Sequence, residues 1–324
     1  MIVVTGGAGF IGSNIVAKLN DLGHDNIIIV DHLGTSDKWK NLNGLKFTDI
    51  FNKDKFYDLM MDENVPFNID TVFHMGACSS TTEKDADYLL QNNYKYSLEL
   101  VKYCLPRRAH FIYASSAATY GNGSAGYDDE KDISSLRPLN MYGYSKQMFD
   151  LWLRKMKISS KVVGLKFFNV YGTNEYHKDD MRSVVHKAYE QILKTGKVKL
   201  FKSYNKNYND GEQKRDFVYV KDVVELSTYF FQNRDKYGLF NVGTGKARTW
   251  NDLVSAVFNA MGKPINIEYI EMPEYLRKKY QYFTEAKMDA VKKIGFSNSF
   301  TSLEDGVDDY VKNYLMKEEP YLKW

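Results

Sequence analysis

Two groups of residues far apart in this chain have the types and spacing to do chemistry together. Thr5-Gly6-Gly7-Ala8-Gly9-Phe10-Ile11-Gly12 comes first, and Tyr142-Gly143-Tyr144-Ser145-Lys146 lies near the middle. Glycines at 6, 7, 9 and 12 satisfy both Gly-x-Gly-x-x-Gly and Gly-x-x-Gly-x-x-Gly. Without Cβ atoms, Gly6, Gly9 and Gly12 let the backbone turn sharply and approach a pyrophosphate, whose charge is favoured by the N-terminus of a following helix. Tyr142 and Lys146 stand at i and i+4, on one face of a helix. A free phenol ionises near ~10, so bringing it to ~7 requires roughly 4 kcal/mol of phenolate stabilisation, much of which a nearby ammonium can supply. Lys146 is also placed to bond the ribose of a nicotinamide. Among 25 tyrosines one Tyr-x-x-x-Lys says little alone. Its weight comes from joining a dinucleotide cradle, and the pair predicts redox chemistry on an alcohol.

These groups need a frame that brings them together. Met1–Thr5 is a β-branched run, and Ser13–Leu22 carries Ile15, Val16 and Leu19 at helical spacing. Ile27-Ile28-Ile29-Val30 is continuously apolar, as in a strand buried on both faces, and ends at Asp31, 19 residues after Gly12. Further runs at Thr71–His74, His110–Ala114 and Val162–Phe168 alternate with helical stretches at Asp85–Leu105 and Tyr142–Met156. The alternation predicts an α/β fold, a doubly wound parallel sheet of the Rossmann type. After Asn169 the pattern shifts: Lys202–Gln213 has no clear period and reads as an exposed loop. Phe217–Val220 and Leu239–Val242 read as strands, and Asn251–Met261 and Leu303–Leu315 as helices. We therefore expect residues 1–170 to form the dinucleotide-binding domain, with 214–244 returning to it, and 171–324 to form mainly a smaller, interleaved α+β substrate lobe.

Composition excludes several classes of function. A formal charge of +3 without a long basic block disfavours nucleic acid as a partner. Cys78 and Cys104 are the only thiols, too few for a disulfide framework and without metal-ligand spacing, so no metal is expected and a cytoplasmic setting is. No 18-residue apolar run or signal-like segment occurs, so no membrane association is expected.

At the cradle, Asp31 is placed to bond the ribose hydroxyls of NAD, while His32, Lys38, Lys40 and Lys53 offer positive charge for the 2′-phosphate of NADP. The residues alone leave NAD and NADP even. Met75-Gly76-Ala77-Cys78-Ser79 follows a strand and is expected to line the cofactor with small side chains. Tyr113-Ala114-Ser115-Ser116-Ala117-Ala118-Thr119-Tyr120-Gly121 ends a strand on the side where open α/β sheets bind ligands.

On these motifs the chain resembles the extended short-chain dehydrogenase/reductases, a family of nucleotide-sugar epimerases, dehydratases, decarboxylases and reductases. The resemblance implies that Ser116 binds the reacting oxygen, Tyr142 is the acid/base and Lys146 its partner. Ala117-Ala118 stands where the family's dehydratases carry Asp-Glu, which disfavours dehydration. The likeness is sharpest in Gly76–Glu83, Asn92-Asn93-Tyr94, Phe168–Gly172 and Lys214–Val220, and there it is to epimerases acting on C6 of an ADP-linked heptose. It implies NADP as cofactor, with Lys38, Lys53, Phe10, Ile11, Asn92 and Val170 beside it, and Lys178 as a second base also near the cofactor. It implies substrate contacts from Asn169, Asp180, Lys187, Phe201, Arg215 and Tyr280. It implies a homo-oligomer, by resemblance a pentamer, and a role in supplying heptose for a lipopolysaccharide core. The chain departs from the family pattern at Thr173-Asn174, at Tyr176 and in the length of Lys202–Gln213, and we expect those changes to fall where substrate is held. His177 and His186 carry no assigned role. A UDP-hexose 4-epimerase needs the same cradle, serine and Tyr-Lys pair but not Lys178. A net reductase would consume its cofactor, and a cofactor-binding protein without turnover has no use for Ser116, Tyr142 and Lys146 together.

Overall fold

The apolar runs become strands whose side chains alternate between two cores. The computed structural model describes residues 1–277 and 280–322. Its strands are β1 (Ile2–Thr5), β2 (Ile27–Asp31), β3 (Asp49–Asn52), β4 (Thr71–His74), β5 (His110–Ser116), β6 (Val163–Phe167), β7 (Asn169–Tyr171), β8 (Val198–Phe201), β9 (Lys214–Tyr219), β10 (Gly238–Val242), β11 (Ala247–Thr249) and β12 (Ile267–Ile270). Its helices are α1 (Phe10–Asp21), α2 (Lys53–Met61), α3 (Ala86–Leu89), α4 (Tyr96–Cys104), α5 (Met141–Lys155), α6 (Val184–Thr195), α7 (Val220–Gln232), α8 (Trp250–Ala260), α9 (Glu274–Arg277), α10 (Asp289–Lys293) and α11 (Leu303–Tyr310).

A seven-stranded sheet in the order β10-β6-β5-β4-β1-β2-β3 is parallel throughout. Ile2, Val4, Ile27 and Ile29 point into one core with α1 and α7, while Val3, Ile28 and Val30 point into the other with α2, α4 and α5. Two-sided burial is why these strands are apolar at every position rather than at alternate ones. The sheet's order reverses between β1 and β4, and both cradle loops open there, at the carboxyl ends of the strands.

The segment 214–244 divides. α7 packs on α1 and β10 joins the large sheet beside β6, whereas β9 pairs with β7 and β11 in a separate three-stranded sheet. β8 and β12 form a parallel pair of their own. The helix expected over Asp85–Leu105 is broken: α3 and α4 flank a π-helical turn at Leu90–Lys95, and α11 likewise runs into a π-turn at Val311–Leu315. Lys202–Gln213 contains no helix or strand, but its end is buried rather than exposed, because Gly211 accepts the Asn251 N–H at 3.0 Å and Asp210 the Asn251 side chain at 3.1 Å. Among the described residues no helix is long and apolar enough to cross a membrane, and no group of His, Cys, Asp and Glu could hold a metal ion.

Candidate active site

The cradle is built by backbone proximity. Gly6 has φ +65°, and a Cβ there would lie 2.7 Å from Gly76 Cα, so the loops after β1 and β4 touch. A Cβ on Gly12 would stand 2.1 Å from the Gly6 carbonyl oxygen. Gly9 caps α1 without any side-chain acceptor, leaving the first helical N–H groups to an anion. The β4 side is fixed by a buried relay. Thr5 Oγ1 accepts the Gly76 N–H at 3.1 Å and so donates to His74 Nδ1 at 2.7 Å; His74 Nε2 donates to Ser97, which donates to the Asn93 carbonyl. That pattern requires a neutral imidazole, and burial pushes His74 down to about 3.

Asp31, at the end of β2, is fully engaged. It accepts Ala8 N–H at 2.9 Å, His32 N–H at 2.7 Å and Lys38 Nζ at 2.6 Å. The His32 side chain is exposed outside the cavity wall. Lys53 Nζ bonds Asn92 Oδ1 at 2.7 Å, and neither lines the cavity; Asn93 holds the Cys78 N–H and C=O at 2.8 and 2.9 Å. The π-turn thus aims Asn93 at the cofactor-side loop, a role no sequence spacing announced.

The residues expected to transfer protons converge on one cavity. The Asn140 side chain caps α5 through the Gly143 N–H, placing Tyr142 and Lys146 in its first turns. Tyr142 hydrogen-bonds Ser116 at the end of β5, and burial, opposed by that bond, pushes the phenol above its ordinary range. Lys146, expected to supply much of the phenolate's stabilisation, donates its Nζ to the Ala114 carbonyl at 2.9 Å, and burial, opposed by Asp150, brings it down to about 8. Behind them Asp150 accepts from Tyr113, Ser115 and Lys166 at 2.9, 2.8 and 2.8 Å, pinning α5 to β5 and β6. Losing one partner of this fully buried ion pair would cost about 3–5 kcal/mol.

A cavity of about 690 Å³ joins these parts. Gly6, Gly9, Phe10, Ile11, Gly12, Asp31, Lys38 and Met75–Ser79 line one end, and Ser116, Tyr142, Lys146, Asn169, Val170 and Lys178 meet in its middle. Lys178 sits on a 3-10 turn, Tyr176–Met181, with Nζ 5.5 Å from the Phe10 ring centroid; burial, opposed by Glu175, lowers its pKa. Arg215 lies over the rings of Trp250 and Tyr280, at 5.7 and 5.4 Å; Trp250 and Gln281 line the cavity, whereas Arg215 and Tyr280 do not. Asp180 is exposed and Lys187 Nζ bonds its carbonyl at 2.5 Å; neither lines the cavity, nor does Phe201 at the end of β8. Residues that the sequence did not single out also form the wall: Met181, Arg182, Ser183, Phe217, Trp250 and Gln281.

Thr173, Asn174 and Tyr176 do not face substrate, which corrects the expectation drawn from them. Thr173 and Tyr176 both donate to the Pro320 carbonyl, at 3.2 and 2.7 Å, and Asn174 donates to Ser13 Oγ at 2.9 Å. Their side chains turn inward to dock the tail and α1. His177 lines the cavity with Nδ1 3.2 Å from Asn41 Nδ2, and His186 is buried in α6.

The fit to a dinucleotide rests on two close approaches that only glycine permits and on an uncapped helix start facing a large cavity. Comparison with known proteins agrees. The model of the NAD dependent epimerase/dehydratase family matches residues 2–243. A protein of Nitratidesulfovibrio vulgaris called ADP-L-glycero-D-manno-heptose-6-epimerase is 55% identical over 99% of this chain and 100% of its own length. The crystal structure of Helicobacter pylori ADP-L-glycero-D-manno-heptose-6-epimerase is similar with a TM-score of 0.79 and 30% identity, covering 96% of this chain and 95% of that one. Thermus thermophilus UDP-glucose 4-epimerase in complex with NAD is similar at a TM-score of 0.76 and 25% identity, over 96% and 97% of the two chains.

Proposed function

The chain belongs to the NAD-dependent epimerase/dehydratase family, and from that premise we propose that it inverts C6 of ADP-D-glycero-D-manno-heptose to give ADP-L-glycero-D-manno-heptose. It is an epimerase that uses a nicotinamide cofactor. The observation that carries the reading is the meeting of Ser116, Tyr142 and Lys178 in one cavity with the cradle, together with full-length likeness to proteins of that name.

Inverting an unactivated secondary alcohol needs a planar ketone between the two configurations. The nicotinamide, when bound, supplies the chemistry of taking hydride from C6 and returning it. Ser116 and Tyr142 hold the C6 oxygen in one orientation, and Tyr142 moves its proton. C6 is exocyclic, so rotation about the neighbouring carbon-carbon bond presents the other face of the ketone, and its oxygen then meets Lys178. One of the pair acts as base during oxidation and the other as acid during reduction. Lys146 orients Tyr142 and the ribose side. Arg215, with Tyr280, is suited to the diphosphate, and Asn169 to the sugar. The Lys38 ammonium on Asp31 neutralises the charge that would repel a 2′-phosphate, which supports NADP over NAD. Residues 1–170 with α7 and β10 act as the cofactor domain in this reading. Assembly as a homo-oligomer, pentameric by resemblance, belongs to it as well and is read by sedimentation.

The test is incubation with ADP-D-glycero-D-manno-heptose, resolving the C6 epimers by NMR. Interconversion without net cofactor consumption is expected. Inactivity there with turnover of UDP-hexoses would move the chain to a hexose 4-epimerase, and stoichiometric NADPH consumption would make it a reductase.

A further inference from the structure

We infer that Glu175 is the positioning residue of the Lys178 segment: its carboxylate fastens the segment's two ends together and stands as the buried counter-charge to the Lys178 ammonium. This rests on the reading of Lys178 as the second acid/base.

Glu175 is 1% exposed, and both its oxygens go to one residue. Oε2 accepts the Ser183 N–H and Oε1 the Ser183 hydroxyl, each at 2.6 Å. Ser183 Oγ in turn accepts the His186 N–H at 3.3 Å and so starts α6. The stretch between is therefore a loop closed at its base on a helix, and from it His177, Lys178, Met181, Arg182 and Ser183 face the cavity. The loop needs a fastening, because Asp179 is held at φ +44°, ψ −122°, a strained conformation for a residue with a Cβ.

A fastening alone does not require a charge, since an amide could bond Ser183 too. The charge has another use. Among the described residues the Lys178 ammonium has no hydrogen bond or ion pair, only the Phe10 ring. Burial drives it toward the neutral amine, and Glu175 opposes that; burial likewise pushes the Glu175 carboxyl up, opposed by its two bonds from Ser183 and by Lys178. A lysine that must give up and regain a proton within a cycle needs both forms within reach. The other ionisable groups around this pair are His177 and Arg182 on the segment, Asp31 and Lys38 beside the cradle, Tyr142 and Lys146 on α5, and Tyr176 and Tyr310 against Glu175. His177, pushed down to about 4 by burial and by Lys38 and Lys178, supplies no positive charge at neutral pH.

The experiment compares wild type, Glu175→Gln and Glu175→Asp by pH dependence of kcat and by a 13Cε NMR titration of Lys178, assigned with Lys178→Met. Glu175→Gln keeps a hydrogen-bonding group on Ser183 and removes the charge. We expect unchanged KM, a kcat lower by about tenfold, and a Lys178 titration moved down by about one pH unit, the sign required when a carboxylate leaves an ammonium. Glu175→Asp, which withdraws the charge by one methylene, gives a smaller shift of the same sign and serves alone if the glutamine variant does not fold. A Lys178 titration identical to wild type, with Lys178→Met inactive, overturns this inference and leaves the proposed function standing. Full turnover by Lys178→Met overturns the two-base reading and this inference with it.

Discussion

In the proposed mechanism each side chain at the reacting centre has a separable task. Tyr142→Phe removes the proton-transfer group while sparing the cradle, so turnover should fall by about 10²–10⁴-fold with cofactor affinity retained, as read by steady-state rates and fluorescence titration. Unchanged turnover would remove Tyr142 from the chemistry. Lys38→Ala strips the ammonium from Asp31 and should weaken NADP binding by about tenfold or more without weakening NAD. Equal loss for both cofactors would show that Lys38 only supports the loop. At this scale the sequence was readable where chemistry is announced by type and spacing, as in Gly6–Gly12 and Tyr142/Lys146. It was not readable for Asn93, Glu175 or Arg182, whose roles depend on where a distant backbone passes. Tyr142 shows a further limit, because burial and the Ser116 bond, not the i+4 ammonium, set its ionisation in this structure.

Elements translate those tasks into geometry. The doubly wound parallel sheet followed from alternating apolar runs, because a strand covered on both faces leaves a plain signature, whereas its strand order and β3 did not. The π-turn at Leu90–Lys95 and the pairing of β9 with β7 and β11 left none, since both depend on tertiary contacts that local periodicity does not encode. Thr173–Tyr176 was misjudged for a related reason: nearness to Lys178 in the chain does not say which way a side chain points, and these point at α1 and Pro320. The cradle turn is a tight contact between elements. Gly12→Ala would place a methyl 2.1 Å from the Gly6 carbonyl oxygen, forcing the turn open. Cofactor binding by calorimetry should be lost or strongly weakened, and wild-type affinity in a folded Gly12→Ala protein would contradict the cradle.

Across the whole molecule, a buried carboxyl away from the cavity appears as pH-dependent stability. Asp129 joins the 127–133 loop to β10 through the Asn241 N–H, leaves its other oxygen without a partner, and is raised by burial to about 6. A carboxyl whose folded pKa is raised stabilises the fold below its unfolded value of about 3.9, and that contribution is lost as pH rises through about 6. Relative to Asp129→Asn, the wild type should therefore lose up to roughly 3 kcal/mol between about pH 4 and 7. Urea unfolding of both proteins across that range checks it, and a constant difference would show that Asp129 does not titrate there. The central claim, that one bound cofactor takes hydride from C6 and gives the same hydride back, has a direct measurement. ADP-D-glycero-D-manno-heptose carrying deuterium at C6 is epimerised in ordinary water and the product examined by NMR. Full retention of deuterium at C6 of the epimer is the predicted result; its replacement by solvent hydrogen would mean that the stereocentre is inverted by proton exchange and would contradict the account.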